Sequence, residues 1–371
     1  MPTGQSFRWR SLDSKDETFV GVCGDRVLVL EQLESDVGYK VVGRQAESQA
    51  YSQNWTDDEL VEDFFNLKVP LTQLSENWRN KDALFERIYA KLPGSRMLRQ
   101  DPVECLFSFI CSQNNHISRI HGMVNKLCQM YGSQIDGVDS NCMYISEYKK
   151  KFGTDVFHSF PSLEQLGQAS EEQLRTAGFG YRAKFIVGSV EELMNKPQGG
   201  RDWLLSLRDV SFDQAVEELC SLPGVGPKVA ACVALFSLDK HDAIPVDTHV
   251  WQFALRNYTP HLRGKSPNPK YHPEVQAAFV KRFGEYAGWA HNTLFVSELA
   301  SIKRKLQIQD EESDDDDDDD DNEWGLEGDQ ISIKLESKEN NSSDDMLPLT
   351  PPKVEESSLS GRKRRRIKEE S

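Results

Sequence analysis

Hydrophobic and polar positions change rhythm close to residue 97. Upstream, apolar residues gather in short β-branched runs, Phe19-Val-Gly-Val-Cys23, Val27-Leu-Val-Leu30 and Tyr39-Lys-Val-Val42, parted by Gly-Asp or Ser-Asp turns. Runs of this length and composition predict an antiparallel sheet with helices on one face. A helix is expected from Asp57, where acidic residues lead into Leu60, Val61, Phe64 and Phe65. From Leu98 onward the apolar spacing turns helical. Asp101 before Pro102 is a helix start, and Val103 to Ile110 carry the apolar stripe behind it. The predicted class is α+β: an antiparallel sheet domain over residues 1–97, a mostly helical region over 98–305, and a disordered tail over 306–371.

An apolar helix follows a turn rich in Gly and Pro, Leu222-Pro-Gly-Val-Gly-Pro-Lys228, and another helix begins at Asp247. Gly224 and Gly226 can take positive φ and leave backbone amides uncovered, so a phosphate can rest against them. Pro227 suits the first helical position and puts Lys228 in the first turn of the segment Val229 to Phe236. Asp247 is a good N-cap for Thr248 to Ala254, where the helix dipole favours an ionised carboxylate. An amine and a carboxylate are thus expected at the starts of two neighbouring helices, beside a phosphate-binding turn. On the hairpin alone, an ordinary helix–helix turn with a solvated lysine is the favoured reading, because short Gly motifs misfire often.

The net charge of −16 argues against nucleic-acid binding until its distribution is counted. Residues 310–371 hold 22 acidic and 9 basic side chains, and residues 1–309 hold 38 and 35. The globular part is therefore near neutral and free to carry a local basic face, which is what sets phosphate affinity. Asp314 to Asp321 is an unbroken run of aspartates, a spacer expected to stay disordered. Arg362-Lys-Arg-Arg-Arg366 reads as a nuclear localisation signal or a loose DNA patch. Seven cysteines, odd in number and without a CxxC, indicate a reducing compartment. No apolar stretch approaches ~18 residues. The expectation is a soluble intracellular protein, nuclear and with a mitochondrial pool also open, that needs no cofactor and no metal. His249 beside Asp247 does not make a zinc site, because two residues are too few.

Hairpin, connection and Asp247 together resemble the helix-hairpin-helix superfamily of base-excision DNA glycosylases, and a Lys directly after the hairpin is similar to its bifunctional members. Four more segments narrow the resemblance: Met1-Pro-Thr-Gly-Gln-Ser-Phe-Arg-Trp9, Asn114-Asn-His-Ile-Ser-Arg119, Gly180-Tyr-Arg-Ala183 and Gly288-Trp-Ala-His-Asn-Thr-Leu-Phe295. With them, nearly all of residues 2–300 resembles the eukaryotic 8-oxoguanine DNA glycosylases, which are also abasic-site lyases. The resemblance implies a TATA-binding-protein-like sheet. The chain begins almost inside the family's opening segment, so the first strand is expected to be missing and one sheet edge open. No Cys follows Cys232, so the iron–sulfur loop of endonuclease III-like relatives is missing. The implied partner is double-stranded DNA containing an oxidised purine, bound by a monomer and away from membranes.

The same resemblance implies roles residue by residue. Lys228 becomes the nucleophile, and Asp247 the carboxylate that stabilises charge on the sugar. The Gly4 carbonyl accepts the N7–H of the oxidised base, Phe295 and Cys232 hold its two faces, and Pro245 and Asp247 complete the pocket. Asn114 fills the gap left by the extruded base, Arg119 and Arg182 reach the orphaned cytosine, and Tyr181 wedges the stack. Gly224, Gly226 and His249 contact phosphates. His291 stands where the vertebrate-like pattern has a Gln that reads the base edge. One imidazole nitrogen donates or accepts but cannot do both, so base selectivity is left open. Local sequence reads several of these otherwise: Asn114 and Asn115 as turn caps, Tyr181 as core beside a surface Arg182, Phe295 as core. Two other functions remain. A monofunctional alkyl-purine glycosylase needs Asp247 but not Lys228, and a non-enzymatic DNA-binding module needs only the hairpin.

Overall fold

β-branched and aliphatic residues crowd the segments that become strands β1 (Trp9–Ser11), β2 (Thr18–Cys23), β3 (Arg26–Gln32) and β4 (Val37–Arg44). In the computed structural model, which describes residues 4–34, 36–46 and 52–299, they pair antiparallel in the order β1-β2-β3-β4. The turn between β2 and β3 is Gly24-Asp25, with Gly24 at φ +57°. A bulge in the β3–β4 ladder lies between Val27 and Leu28. The expected tail, with Asp314 to Asp321 and Arg362 to Arg366, lies outside the described residues, as do Met1 to Thr3.

Fourteen of the helices follow after helix α1 (Asp57–Phe64): α2 (Leu71–Lys81), α3 (Ala83–Tyr89), α4 (Pro102–Ser112), α5 (Ile117–Tyr131), α6 (Met143–Phe152), α7 (Leu163–Leu166) and α8 (Glu171–Thr176) come first. Then come α9 (Arg182–Met194), α10 (Gly200–Ser206), α11 (Phe212–Cys220), α12 (Pro227–Ser237), α13 (Thr248–Asn257), α14 (His272–Phe283) and α15 (Ala287–Glu298). Helix α1 starts at Asp57 as its sequence dictates, closed by a capping box between Thr56 and Glu59.

Helices cover both faces of the sheet, not one. Trp9, Cys23, Leu28 and Leu30 pack on Leu60, Val61 and Phe64 of α1. On the other face Val20, Val22, Val27, Val29 and Val42 meet Ile135, Ile145, Tyr148 and Phe157, which come from the middle of the chain. The reason is visible in β3: Val27-Leu-Val-Leu30 is apolar at every position, the pattern of a strand buried on both sides.

Helices α4 and α12 form the centre of the helical region, each with nine of its eleven residues buried. Trp78, Trp251 and Trp289 are fully enclosed around them. Burying one such side chain is worth about 1.5–3 kcal/mol, so the two helices are a stiff base for whatever their ends present. All seven cysteines are free thiols. Among the described residues no helix is long and apolar enough to cross a membrane.

Candidate active site and nucleic-acid interface

The hairpin sits between α11 and α12. Gly224 takes φ +76°, and a Cβ there would lie 2.4 Å from Cγ of Phe185, so both conformation and space demand glycine. Gly226 does not follow the expectation of positive φ. It is the extended N-cap of α12 at φ −101°, and a Cβ there would meet nothing within 4 Å. It is exposed, with open space beside it at the start of the helix.

Lys228 lies in the first turn of α12, half-buried, its Nζ 5.6 Å from the centroid of the Phe109 ring. Cys232, one turn further on the same helix face, is buried and acts on the Lys228 amine from there. Burial lowers the pKa of Lys228, but the Cys232 sulfur and the Asp247 carboxylate outweigh it, and the net direction is upward. Burial likewise drives the Cys232 thiol up, to about 11, against the pull of Lys228. At neutral pH the pair is an ammonium beside a neutral thiol.

Asp247 caps α13 as its sequence predicts: its Oδ1 accepts from the amides of His249 and Val250, each at 3.0 Å. The extended connection before it buries Pro245. The carboxylate acts electrostatically on Lys228, Cys232 and His291 together, so hairpin helix, α13 and α15 converge on one place. His291 of α15 is 5% exposed, and neither ring nitrogen has a hydrogen-bond partner. Burial, only partly opposed by Asp247, holds its pKa down at about 4, so the ring is neutral. Phe295, half-buried, lies 6.1 Å from it at an interplanar angle of 24°.

The opening segment reaches the same region. Gly4 has φ +82°, with open space where a Cβ would be. Gln5 next to it is clamped: its carbonyl accepts from Gln100 Nε2 at 2.8 Å, and its amide bonds Arg96 and Leu98 at 3.0 Å. Phe7 packs edge-on against Phe109, the ring beside Lys228, at 5.9 Å. Asn292, beside His291, bonds Ser95 at 3.2 Å, next to the Arg96 that Gln5 holds.

The residues expected to face the base gap divide in an unexpected way. Asn114 is exposed at φ +44°, a conformation Asn tolerates better than most residues. Asn115 is the turn's structural member, bonding the Cys111 carbonyl at 3.0 Å. Tyr181 is 45% exposed, while Arg182 is only 3% exposed. That inverts the core-Tyr reading, and it also corrects the picture of Arg182 as a free fork at a turn tip. The Arg182 guanidinium donates to the carbonyls of Gln113 and, at 3.2 Å, Asn114. Burying a guanidinium requires such acceptors. Arg119 and His249 are exposed. Sequence reasoning passed over Gln5, Gln100 and Gln113, which hold these elements in place; for Gln5 and Gln113 a place directly beside a positive-φ Gly or Asn was the available signal, and for Gln100 there was none. Among the described residues no group of three or more His, Cys, Asp or Glu is placed to hold a metal ion.

Comparison with known proteins gives matches over most of the chain. The family described as "8-oxoguanine DNA glycosylase, N-terminal domain" matches residues 1–106, and "HhH-GPD superfamily base excision DNA repair protein" matches residues 107–269. The N-glycosylase/DNA lyase OGG1 of Arabidopsis thaliana is 45% identical over 310 residues, 82% of this chain and 78% of that protein. The N-glycosylase/DNA lyase of Saccharomyces cerevisiae is 33% identical over 329 residues, 81% of this chain and 82% of that protein. Of solved structures, MBOgg1 in complex with a low affinity DNA ligand is similar at 28% identity and a TM-score of 0.63, over 82% of this chain and 90% of that one.

Proposed function

The chain belongs to the 8-oxoguanine DNA glycosylase/lyase family of helix-hairpin-helix proteins, and from that premise we propose how its residues divide the work. The enzyme excises 8-oxoguanine from DNA and cleaves the strand at the abasic site. Breaking the C1′–N9 bond builds positive charge on the sugar, which Asp247, fixed by two helix amides, stabilises. The Lys228 amine bonds to C1′ as the base departs with a proton. Ring opening turns the adduct into a Schiff base. Loss of the C2′ proton and departure of the 3′ phosphate oxygen then complete β-elimination. Lys228 rests protonated, so deprotonation precedes attack.

A base inside a duplex reaches none of these groups until it is extruded, at a cost of about a few kcal/mol. Asn114 and Tyr181 hold the vacated space, Arg119 reads the cytosine opposite, and Arg182, buried against the Gln113 and Asn114 carbonyls, steadies the turn that carries Asn114. The base lies between Phe295 and Cys232 with its N7–H on the Gly4 carbonyl, its edge toward His291, and Pro245 in the wall. Gly224, Gly226 and His249 take the backbone, independent of sequence. The place of work is the nucleus, where the Arg362 to Arg366 cluster, outside the described residues, reads as the address.

One observation carries the bifunctional reading: Lys228 is half-buried, its amine over the Phe109 ring at 5.6 Å, one turn from Cys232 and under the charge of Asp247. A solvated turn lysine would have none of this, and a monofunctional alkyl-purine enzyme would not need it. The test is borohydride trapping on a duplex with 8-oxoguanine opposite cytosine, wild type beside Lys228→Gln. A covalent adduct that vanishes in the variant is expected. Base release without adduct would return the protein to the monofunctional class.

A further inference from the structure

The three elements assigned to DNA are not independent, and one side chain that touches none of the proposed ligands joins them. Gln113 follows α4 in an extended conformation, φ −60° and ψ 125°. Its Nε2 donates to the carbonyl of Gly224 in the hairpin at 2.6 Å. Its own carbonyl accepts from the Tyr181 hydroxyl at 3.1 Å and from the Arg182 guanidinium, which also holds the Asn114 carbonyl at 3.2 Å. Arg182 lies 4.6 Å from the Tyr181 ring centroid, and Tyr181 meets Phe185 edge-on at 5.8 Å. Phe185 in turn fills the space beside Gly224. The contacts close into a ring: Gly224, Gln113, Arg182, Tyr181, Phe185 and back to Gly224.

A closed ring of this kind fixes relative position as no single contact does. The Gln113 bond is the only one in it that is directed, half-buried and made by a side chain free to be replaced without removing a DNA-facing group. Were that bond lost, the hairpin and the Asn114 turn would each keep its own fold, and their register would loosen. Misplacement by as little as about 1 Å can cost on the order of 100-fold in rate when the geometry of a later step depends on it.

We infer that Gln113 is a positioning residue that couples phosphate capture at the hairpin to occupation of the base gap by Asn114 and Tyr181. Binding of backbone at Gly224 and Gly226 thereby sets the turn that must hold the extruded state. The inference rests on the roles proposed above for the hairpin and Asn114.

Gln113→Met, nearly isosteric and without the donor, tests it in the full-length protein. A neutral hydrogen bond is worth roughly a 3- to 10-fold effect. Single-turnover excision of 8-oxoguanine is expected to slow by that factor or more, with affinity for an undamaged duplex and the unfolding midpoint unchanged. In an Asn114→Ala background the same substitution is expected to add little, because its effect passes through Asn114. Equal losses in undamaged-duplex affinity and excision would mark a merely structural residue and overturn the inference. So would additivity with Asn114→Ala, or an unchanged excision rate. Should Gln113→Met fold poorly, Gln113→Glu, which turns an acceptor toward the Gly224 carbonyl, must show the same split. A wild type that forms no trapped adduct condemns the Lys228 mechanism instead, so the two failures are distinguishable.

Discussion

Replacing Gly224 and Gly226 with alanine, one at a time, separates two kinds of glycine in the same five-residue turn. At Gly224, φ +76° places an L-residue in the left-handed region, at about 1–2 kcal/mol. The new methyl would also stand 2.4 Å from Phe185 Cγ and 2.6 Å from its Cβ. Those atoms are the root of the side chain, so rotation about the ring cannot clear them and the backbone of α9 must shift. Overpacking of that kind costs about 1–3 kcal/mol. The total, about 2–5 kcal/mol, is expected as a lower urea midpoint at unchanged slope. Gly226→Ala carries neither penalty, since its φ of −101° suits alanine and no atom lies within 4 Å. Its stability is expected to stay within about 0.5 kcal/mol of wild type. Its methyl would instead project into the open space beside the turn where a phosphate is proposed to rest, so duplex affinity falls, uniformly across sequences. Equal midpoints for Gly224→Ala and wild type would refute the steric argument, and undiminished binding by Gly226→Ala would refute the phosphate assignment.

Asp247 serves as both cap and charge, and two substitutions split them: Asp247→Ala should lose about 0.5–2 kcal/mol of stability, whereas Asp247→Asn keeps the cap and the melting temperature. Both should abolish base release, scored by cleavage of a labelled duplex after alkali. His291 gives a pH signature. Its folded pKa of about 4 lies below the unfolded value near 6.5, so the unfolded chain binds the extra proton between those limits. Stability is therefore intact above about pH 6.5 and declines toward pH 4, by on the order of 3 kcal/mol. His291→Gln should flatten that slope in urea titrations at pH 7 and pH 4.5, and an unchanged slope would mean the ring is not buried neutral. Trapping by Lys228 should rise with pH across the alkaline range, because its raised pKa leaves little free amine at neutrality.

What could be read from sequence was what local chemistry decides. Pro227 at a helix start, Asp247 at a cap and Asp101 before Pro102 are choices made within four residues, and all three stand as expected. The misreadings were non-local. Tyr181 and Arg182 are adjacent, and which of them turns inward depends on carbonyls about 70 residues upstream that only the fold supplies. Gly226 looked like Gly224 because spacing cannot tell a glycine needed for its φ from one needed for its bareness. Helices on both sheet faces escaped notice because the second cover, Ile145 and Tyr148, is separated from β4 by five other helices.

That second cover has a consequence for synthesis. Arg44 ends β4, and Ile135 is the first residue of the cover to follow it. A ribosome adding roughly 5–20 residues per second therefore leaves the valine face bare for about 5–20 s. During that interval the nascent sheet offers Val20, Val22, Val27, Val29 and Val42 to any apolar surface nearby, which makes it a natural chaperone client. Substitutions between Ile135 and Phe157 should then lower the yield of folded enzyme while leaving the turnover of each folded molecule untouched.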